Sequence, residues 1–192
     1  MLDGLRILDL TNEIGFLCGK VLADLRADVI KIEKPRGDSS RNQGPFWHDI
    51  PDPQKSLFWA AYNAGKRSVT LDVTSRDGQE LFKRLVKSAD CVIESFPPGY
   101  MDSLDLGYEA LSQINQRIVL TSVTPFGQNG PYKDYAATEM VISALGGVLY
   151  LVGHEDSAPV HTNFPLSVYA SAALEAAMGT VIAMHESEAT GL

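Results

Sequence analysis

Cysteine is scarce in this chain: Cys18 and Cys91 are the only two among 192 residues. Two thiols do not make a disulfide scaffold, and they lack the paired spacing of a metal knuckle, so a reducing, cytoplasmic setting is the default expectation. Histidine is nearly as rare. His48, His154, His161 and His185 are not spaced with a cysteine or acid as metal ligands are, and although His48 sits beside Asp49, adjacent side chains seldom point at one ion, so no metal site is expected. Basic charge is also short, with 16 Lys and Arg against 24 Asp and Glu, a formal charge of -8 and a pI of about 4.9. That excludes a general nucleic-acid or anionic-membrane binder while leaving room for a local basic pocket. The opening MLDGLRILDL brings charge too early for a secretory leader. No G-x-S-x-G or P-loop occurs, since GQNGPY lacks the lysine and hydroxyl ending. TNEIGFLCG, where a dinucleotide fingerprint belongs, has only Gly15 and Gly19 and so no G-x-G-x-x-G.

What remains is an ordinary soluble composition, 45% hydrophobic and 21% charged, in a chain long enough for one core. RILDL (Arg6–Leu10) reads as a buried strand, Phe16–Leu25 as a helix and Val29–Ile32 as a second strand, which together make a βαβ unit. Ser39–Trp59 has no period and reads as a loop folded over a neighbouring surface. Ser68–Val73 restores a strand. Thr74 with Asp77 has the pattern of a capping box opening a helix over Gly78–Lys87. Cys91–Glu94 and Ile118–Val123 are further strands, with a short helix over Tyr108–Ile114 between them. Thr138–Leu145 reads as a helix, Gly146–Leu151 as the approach to a strand and Ser167–His185 as a closing helix. Alanines on several faces of that helix predict close packing on the sheet, and Glu175 argues against a membrane span. Strands alternating with helices give an α/β, doubly wound, mostly parallel sheet with helices on both faces. Ligands bind such sheets at the strand carboxyl ends, here Thr11–Gly15, Glu33–Arg41, Glu94–Tyr100 and Thr124–Tyr132.

Several residues at these ends invite a role, each with an alternative. Glu33 lies 24 residues after Asp9, where a dinucleotide fold places its ribose-binding acid, but the missing glycines weaken that reading. Lys34 and Arg36 suit a phosphate, or are solvated loop charges. Lys66 and Arg67 precede a strand and could meet phosphates, but on pattern alone they read first as surface charges. Phe96, in the FPPGY break, stacks on a flat base or plugs the core beneath its own loop.

The order of these blocks is more specific than any one of them. LDGLRILDLT (Leu2–Thr11), LADLRADVIKIEKPRGD (Leu22–Asp38), NAGKRSVTLDV (Asn63–Val73), ADCVIESFPPGYMDSLDLGYEAL (Ala89–Leu111) and TPFGQNGPY (Thr124–Tyr132) occur in sequence, ahead of a terminal helix ending in ATG. In this the chain resembles the N-terminal half of the family III CoA-transferases, the group of formyl-CoA transferase, the carnitine CoA-transferases and α-methylacyl-CoA racemase. The resemblance implies one CoA-binding, Rossmann-like domain over residues 1–192, incomplete relative to the family, with coenzyme A or acyl-CoA and a small carboxylic acid as substrates. It places Lys34 on a family arginine near the adenosine-phosphate end of CoA. It places Ile14 and Gly15 on a backbone contact, Leu71, Asp72, Val73 and Thr74 on a second contact segment, and Ser95, Phe96 and Pro97 on a third. Thr138 and Glu139 fall near the active centre.

The family chemistry runs through an aspartate whose carboxylate attacks the thioester, and here the chain departs. Relatives carry F-P-x-x-x-Asp, whereas this chain reads FPLSVY and puts Tyr169 in the aspartate's place. Ala173 stands where a glycine usually follows. Asn12 replaces a common histidine, Ser103 a common arginine and Thr138 a common tyrosine. The racemase histidine segment reads YAATE (Tyr135–Glu139). Three functions therefore compete. The first is a CoA-binding transferase half impaired in catalysis, the second a non-catalytic module that builds an interface, and the third a NAD-type oxidoreductase. A homo-oligomer, a C-terminal half or a partner chain is expected, with no nucleic acid and no membrane.

Overall fold

In a computed structural model, residues 1–160 and 167–191 are described. Five strands, β1 (Arg6–Leu10), β2 (Asp28–Glu33), β3 (Arg67–Thr70), β4 (Cys91–Glu94) and β5 (Val119–Ser122), form one sheet in the order β3-β2-β1-β4-β5. Every pairing is parallel. The expected doubly wound sheet is therefore present. Period-two alternation divides its side chains between two cores. Leu8, Leu10, Ile32 and Val92 face α3 (Arg76–Val86), α4 (Tyr100–Ser103) and α5 (Tyr108–Ser112). Ile7, Val29, Cys91 and Ile93 face α1 (Phe16–Asp24) and α7 (Ser167–Thr190). Strands covered on both faces are apolar nearly throughout, which is why RILDL and CVIE were legible as strands.

Local chemistry explains the helices. Helix α3 buries Gly78, Phe82 and Val86 at helical spacing, has Asp77 in its first turn and carries Lys83 and Arg84 in its last, in keeping with the helix dipole. Its cap is Ser75, whose hydroxyl accepts from the Gly78 N–H at 3.1 Å, one residue later than the Thr74 box predicts. Thr74 is occupied elsewhere, since its N–H and hydroxyl both donate to Asp72. The small residues Ala173 and Ala177 of α7 let it lie close on α1 and β5, as expected, and the Thr121 and Thr180 hydroxyls meet there at 2.7 Å. The helix runs past His185 to Thr190, and Gly191 ends it with φ +78°.

Two expectations change. The Ser39–Trp59 excursion does fold over a neighbour, but it contains the turns Ser39–Asn42 and Trp47–Asp49 and leads into a helix, α2 (Leu57–Asn63). Ser56 caps α2 by accepting from the Trp59 N–H, and its own hydroxyl donates to the Gln43 carbonyl. Trp59 then packs edge-on against Phe16, with ring centroids 5.5 Å apart. Among the described residues, Gly146–Leu151 leads to no strand. After α6 (Glu139–Leu145), Val148–Leu151 forms a single 3-10 turn with Tyr150 and Leu151 exposed. Strand propensity is realised only against a sheet edge, and this run meets none.

Alanine normally outdoes glycine in a helix by roughly 1 kcal/mol. At Gly78 the sign should reverse, because an added Cβ would stand 1.7 Å from the Asp72 carbonyl oxygen. Gly78→Ala is expected to lose about 1–3 kcal/mol, read as a lower urea midpoint with an unchanged slope. An equal or higher midpoint would refute this close approach.

Candidate functional site

Connections leave β1 and β4 in opposite directions, so a crevice opens between their carboxyl ends. Asn12 and Ser95 tie its two sides. The Asn12 N–H donates to Ser95 Oγ at 2.8 Å, and that hydroxyl donates to Asn12 Oδ1 at 2.9 Å. Asn12 also shapes the turn that follows, accepting from the Ile14 N–H at Oδ1 and from the Gly15 N–H at its carbonyl. On the α3 side of this tie lies a cavity of about 330 Å³, within the range of ligand pockets. Leu10, Ile32, Leu71 and Val73 supply apolar surface, and Thr11 and Asn12 supply polar surface. Phe96 and Tyr100 share a wall with ring centroids 4.8 Å apart, while Lys34 stands exposed on the rim. A flat apolar group fits this lining, and Lys34 is its one cation among the described residues, at the rim. A second cavity of similar volume lies at the opposite, amino edge of the sheet, near Leu2, Asp90 and His185.

The cleft therefore gathers Lys34, Leu71, Asp72, Val73, Thr74 and Phe96 from the residues singled out in the sequence. Phe96 packs on the core beneath its loop, the second of its two readings, and also lines the cavity. Ile14, Gly15 and Ser95 sit in the adjoining tie rather than in the lining, and Pro97 faces a separate pocket with Glu94. Glu33 lines the cleft but is not free to hold a ribose. Its Oε1 accepts from Arg41 at 2.8 Å and Ser68 at 2.7 Å, and its Oε2 accepts from Arg41 at 2.6 Å and the Asp38 N–H at 3.2 Å. Four bonds fill a carboxylate's capacity. Burial alone would raise its pKa, but Arg41, Ser68 and the Asp38 N–H bring it down to about 2.

Beneath the cleft is a cluster that pattern reading missed. Asp9, in the central strand β1, is fully buried. Its Oδ2 accepts from Lys66 at 2.8 Å, and its Oδ1 accepts from the Thr11 N–H at 2.9 Å, the Thr11 hydroxyl at 2.6 Å and Lys31 at 3.4 Å. Lys66 is thus no surface charge: its side chain is 1% exposed, and Phe16 and Asn63 also accept from it. Burial would raise the Asp9 pKa, but Lys31 and Lys66 hold it below the usual carboxylate range. Burial lowers Lys66, with Asp9 opposing. The signal available in the sequence was a charge inside an apolar strand, in ILDL and again in VIKI, since such charges must find partners. Arg67, by contrast, is exposed and forks onto Asp28.

Tyr169 stands in the first turns of α7, apart from the cleft lining. Glu139 opens α6 after its cap residue Thr138, and its carboxylate accepts from the Val168 N–H at 3.4 Å. Burial first, then the charges of Glu139 and Glu13, raise the Tyr169 pKa. Glu13 is a further residue that pattern reading did not single out. Phe164 and Pro165, which open the FPLSVY motif, and His161 lie outside the described residues. Cys18 and Cys91 are free and buried; burial pushes the Cys18 thiol up to about 12 and Cys91 higher still. Among the described residues there is no group able to hold a metal ion, and no helix is long and apolar enough to cross a membrane.

The profile of CoA-transferase family III matches residues 2–192. Over 97% of its length the chain is 42% identical to the succinyl-CoA:(R)-benzylsuccinate CoA-transferase subunit BbsE of Thauera aromatica, covering 45% of that protein. It is 36% identical to a formyl-CoA:oxalate CoA-transferase of Streptomyces avermitilis over 99% of its length, again covering 45% of the relative. A crystal structure of a CAIB/BAIF family protein from Brucella suis superposes with a TM-score of 0.87 at 35% identity, covering 99% of this chain and 50% of that one. The chain thus spans about half the length of these relatives.

The Glu33 network gives a pH signature. A carboxylate whose folded pKa is about 2 against an ordinary 4.5 contributes stability that is present above pH 4.5 and lost as pH falls toward 2. Denaturation midpoints of the native chain should therefore fall through that window, and Glu33→Gln should flatten the fall. Parallel curves for the two proteins would contradict the assignment.

Proposed function

The chain belongs to CoA-transferase family III, and from that premise we propose that it binds coenzyme A in the cleft at the β1–β4 switch point without itself supplying the transfer nucleophile. The observation that carries the binding reading is the cleft's lining. Lys34 meets the phosphates at the rim, Phe96 and Tyr100 face the adenine, and the Leu71–Thr74 segment forms the opposite wall. Asp72 and Thr74 supply polar atoms for ribose or adenine. Ile14, Gly15 and Ser95 serve the thioester arm from the tie beside the cleft, with Pro97 shaping the third contact segment. Thr138 and Glu139 support the active centre. Lysine keeps the charge of a phosphate-binding arginine but not its two-pronged fork.

Transfer needs a nucleophile ionised at neutral pH that attacks the thioester carbonyl, expels the CoA thiolate and leaves a mixed anhydride. A tyrosine of ordinary pKa is roughly 0.1% ionised at pH 7, and burial with Glu139 and Glu13 nearby lowers the fraction further at Tyr169. A competent carboxylate then comes from a partner chain or a C-terminal half, and the chain acts as a cytoplasmic CoA-binding half on an acyl-CoA and a small carboxylic acid. The relative from Thauera aromatica is named as a subunit, which supports working beside another chain. The second reading, a non-catalytic interface module in a homo-oligomer or a two-chain enzyme, draws on the same tyrosine.

Calorimetry tests binding. CoA should bind weakly, and Lys34→Glu should weaken it further, most at low salt, because an exposed phosphate pair is screened. No heat with millimolar CoA would leave only the interface module. For the chemistry, the chain is incubated with acyl-CoA and hydroxylamine and analysed by mass spectrometry. No acidic side chain should be modified. A labelled Asp or Glu, with turnover to a second acid, would overturn the claim.

A further inference from the structure

The cluster beneath the cleft is electrically unbalanced. Asp9 faces two lysines, and all three side chains are at most 2% exposed. Lys66 has three acceptors, Asp9 Oδ2 at 2.8 Å, Asn63 Oδ1 at 2.9 Å and the Phe16 carbonyl at 3.0 Å, matching the three donors of an ammonium. Lys31 also has three, the Thr11 carbonyl and, at 3.4 Å each, the Asp9 carbonyl and Oδ1. Both therefore have the environment of a cation, and both ammoniums lie near the Phe16 ring, 5.2 and 5.6 Å from its centre. The neighbouring Cys18 offers no compensating charge, because burial keeps it a neutral thiol. The fold needs only one of these lysines. Asp9 and Lys66 make a complete pair at 2.8 Å, and Lys31 reaches the carboxylate only at 3.4 Å. A second buried ammonium adds desolvation cost without a second carboxylate to offset it.

The excess charge lies on the α1 face of the sheet, across from the cleft, and is joined to the cleft wall through Thr11. The Thr11 carbonyl that Lys31 holds belongs to a residue of the cleft wall. The lining itself is poor for an anion. It carries Glu33, Asp38 and Asp72 against Lys34, and only Glu33 is neutralised, by Arg41. We propose that Lys31 is a buried counter-charge for a phosphorylated ligand of the cleft, a positioning residue that acts through the Thr11–Asn12 wall and is retained at a cost in stability. The ligand identity rests on the CoA reading above; the charge argument requires only a phosphate-bearing occupant.

The test uses the full chain with Lys31→Met, which keeps the apolar stem and removes the charge, and Lys31→Arg, which keeps the charge. Each protein is titrated with CoA and with inorganic pyrophosphate, and its urea midpoint is measured. Lys31→Met should match or exceed the native midpoint while binding both ligands ~5- to 10-fold more weakly, and Lys31→Arg should retain most of the affinity. The loss should persist at high salt, unlike that of Lys34→Glu, because a buried charge is little screened. Native affinity in folded Lys31→Met overturns the proposal. So does a lowered midpoint or failure to fold, since the lysine would then serve the fold. A native chain that binds pyrophosphate but not CoA removes only the CoA reading, and the pyrophosphate comparison still decides the role of Lys31. A native chain that binds neither overturns both.

Discussion

An ionised carboxylate at the centre of a buried parallel sheet must be fully partnered, because an uncompensated charge there costs more than a small domain can spare. Asp9 sits in that position, and much of the structure is arranged around it. Strand register puts Lys31 of β2 opposite it. Lys66 reaches it from the junction between α2 and β3, which fixes where β3 joins the sheet edge. Thr11 turns back to cap its other oxygen, which sets the first residue of the β1–α1 turn. Helix α1 can lie this close only because residue 19 is glycine; a Cβ there would stand 2.3 Å from Asp9 Oδ2. At Gly15 an added Cβ would meet the Thr11 methyl at 2.6 Å. Thus the turn that borders the cleft is held at both ends by charge buried below it.

The cleft and the centre around Tyr169 are distinct places served by one frame. The cleft draws on β1, β2 and the connections after β3 and β4, and its acid, Glu33, is spent on Arg41, which in turn stacks on Trp59 at 4.1 Å. The 39–59 excursion therefore contributes to the cleft directly through Ser39 and indirectly by delivering Arg41. The second place draws on the start of α6 and the first turns of α7, where the charge of Glu13, from the β1–α1 turn, helps raise the Tyr169 pKa. That turn bears on both places, since its Asn12 lines the cleft. The two places depend on different segments, so residues of one can change without disturbing the other.

The sequence by itself determined the fold class, the five strands of the sheet and the family. Apolar runs such as RILDL and CVIE can be satisfied only inside a two-faced sheet, and their alternation with helical spacing allows few topologies. Strand-end loops such as Glu33–Arg41 and Glu94–Tyr100 were readable as one edge of the sheet, whereas Leu71–Thr74 was singled out only by the family resemblance; all three segments line one cavity. The starts of α1, α5 and α7 were readable, while α2 and α4 were not and α3 begins at Arg76, two residues before Gly78; the miss at Ser75 arose because two adjacent hydroxyls compete for Asp72 and the helix N–H groups. Only the tertiary structure decided which charges are buried. Lys66 in NAGKRSV and Arg67 beside it are equivalent in pattern, yet one lies beneath the sheet edge against Asp9 and the other forks onto Asp28 in solvent. Whether Glu33 was free, and whether GVLYL paired as a strand, likewise depended on partners far along the chain. Local sequence records the presence of a charge or an apolar run, while its satisfaction depends on long-range contacts that only the folded chain brings together.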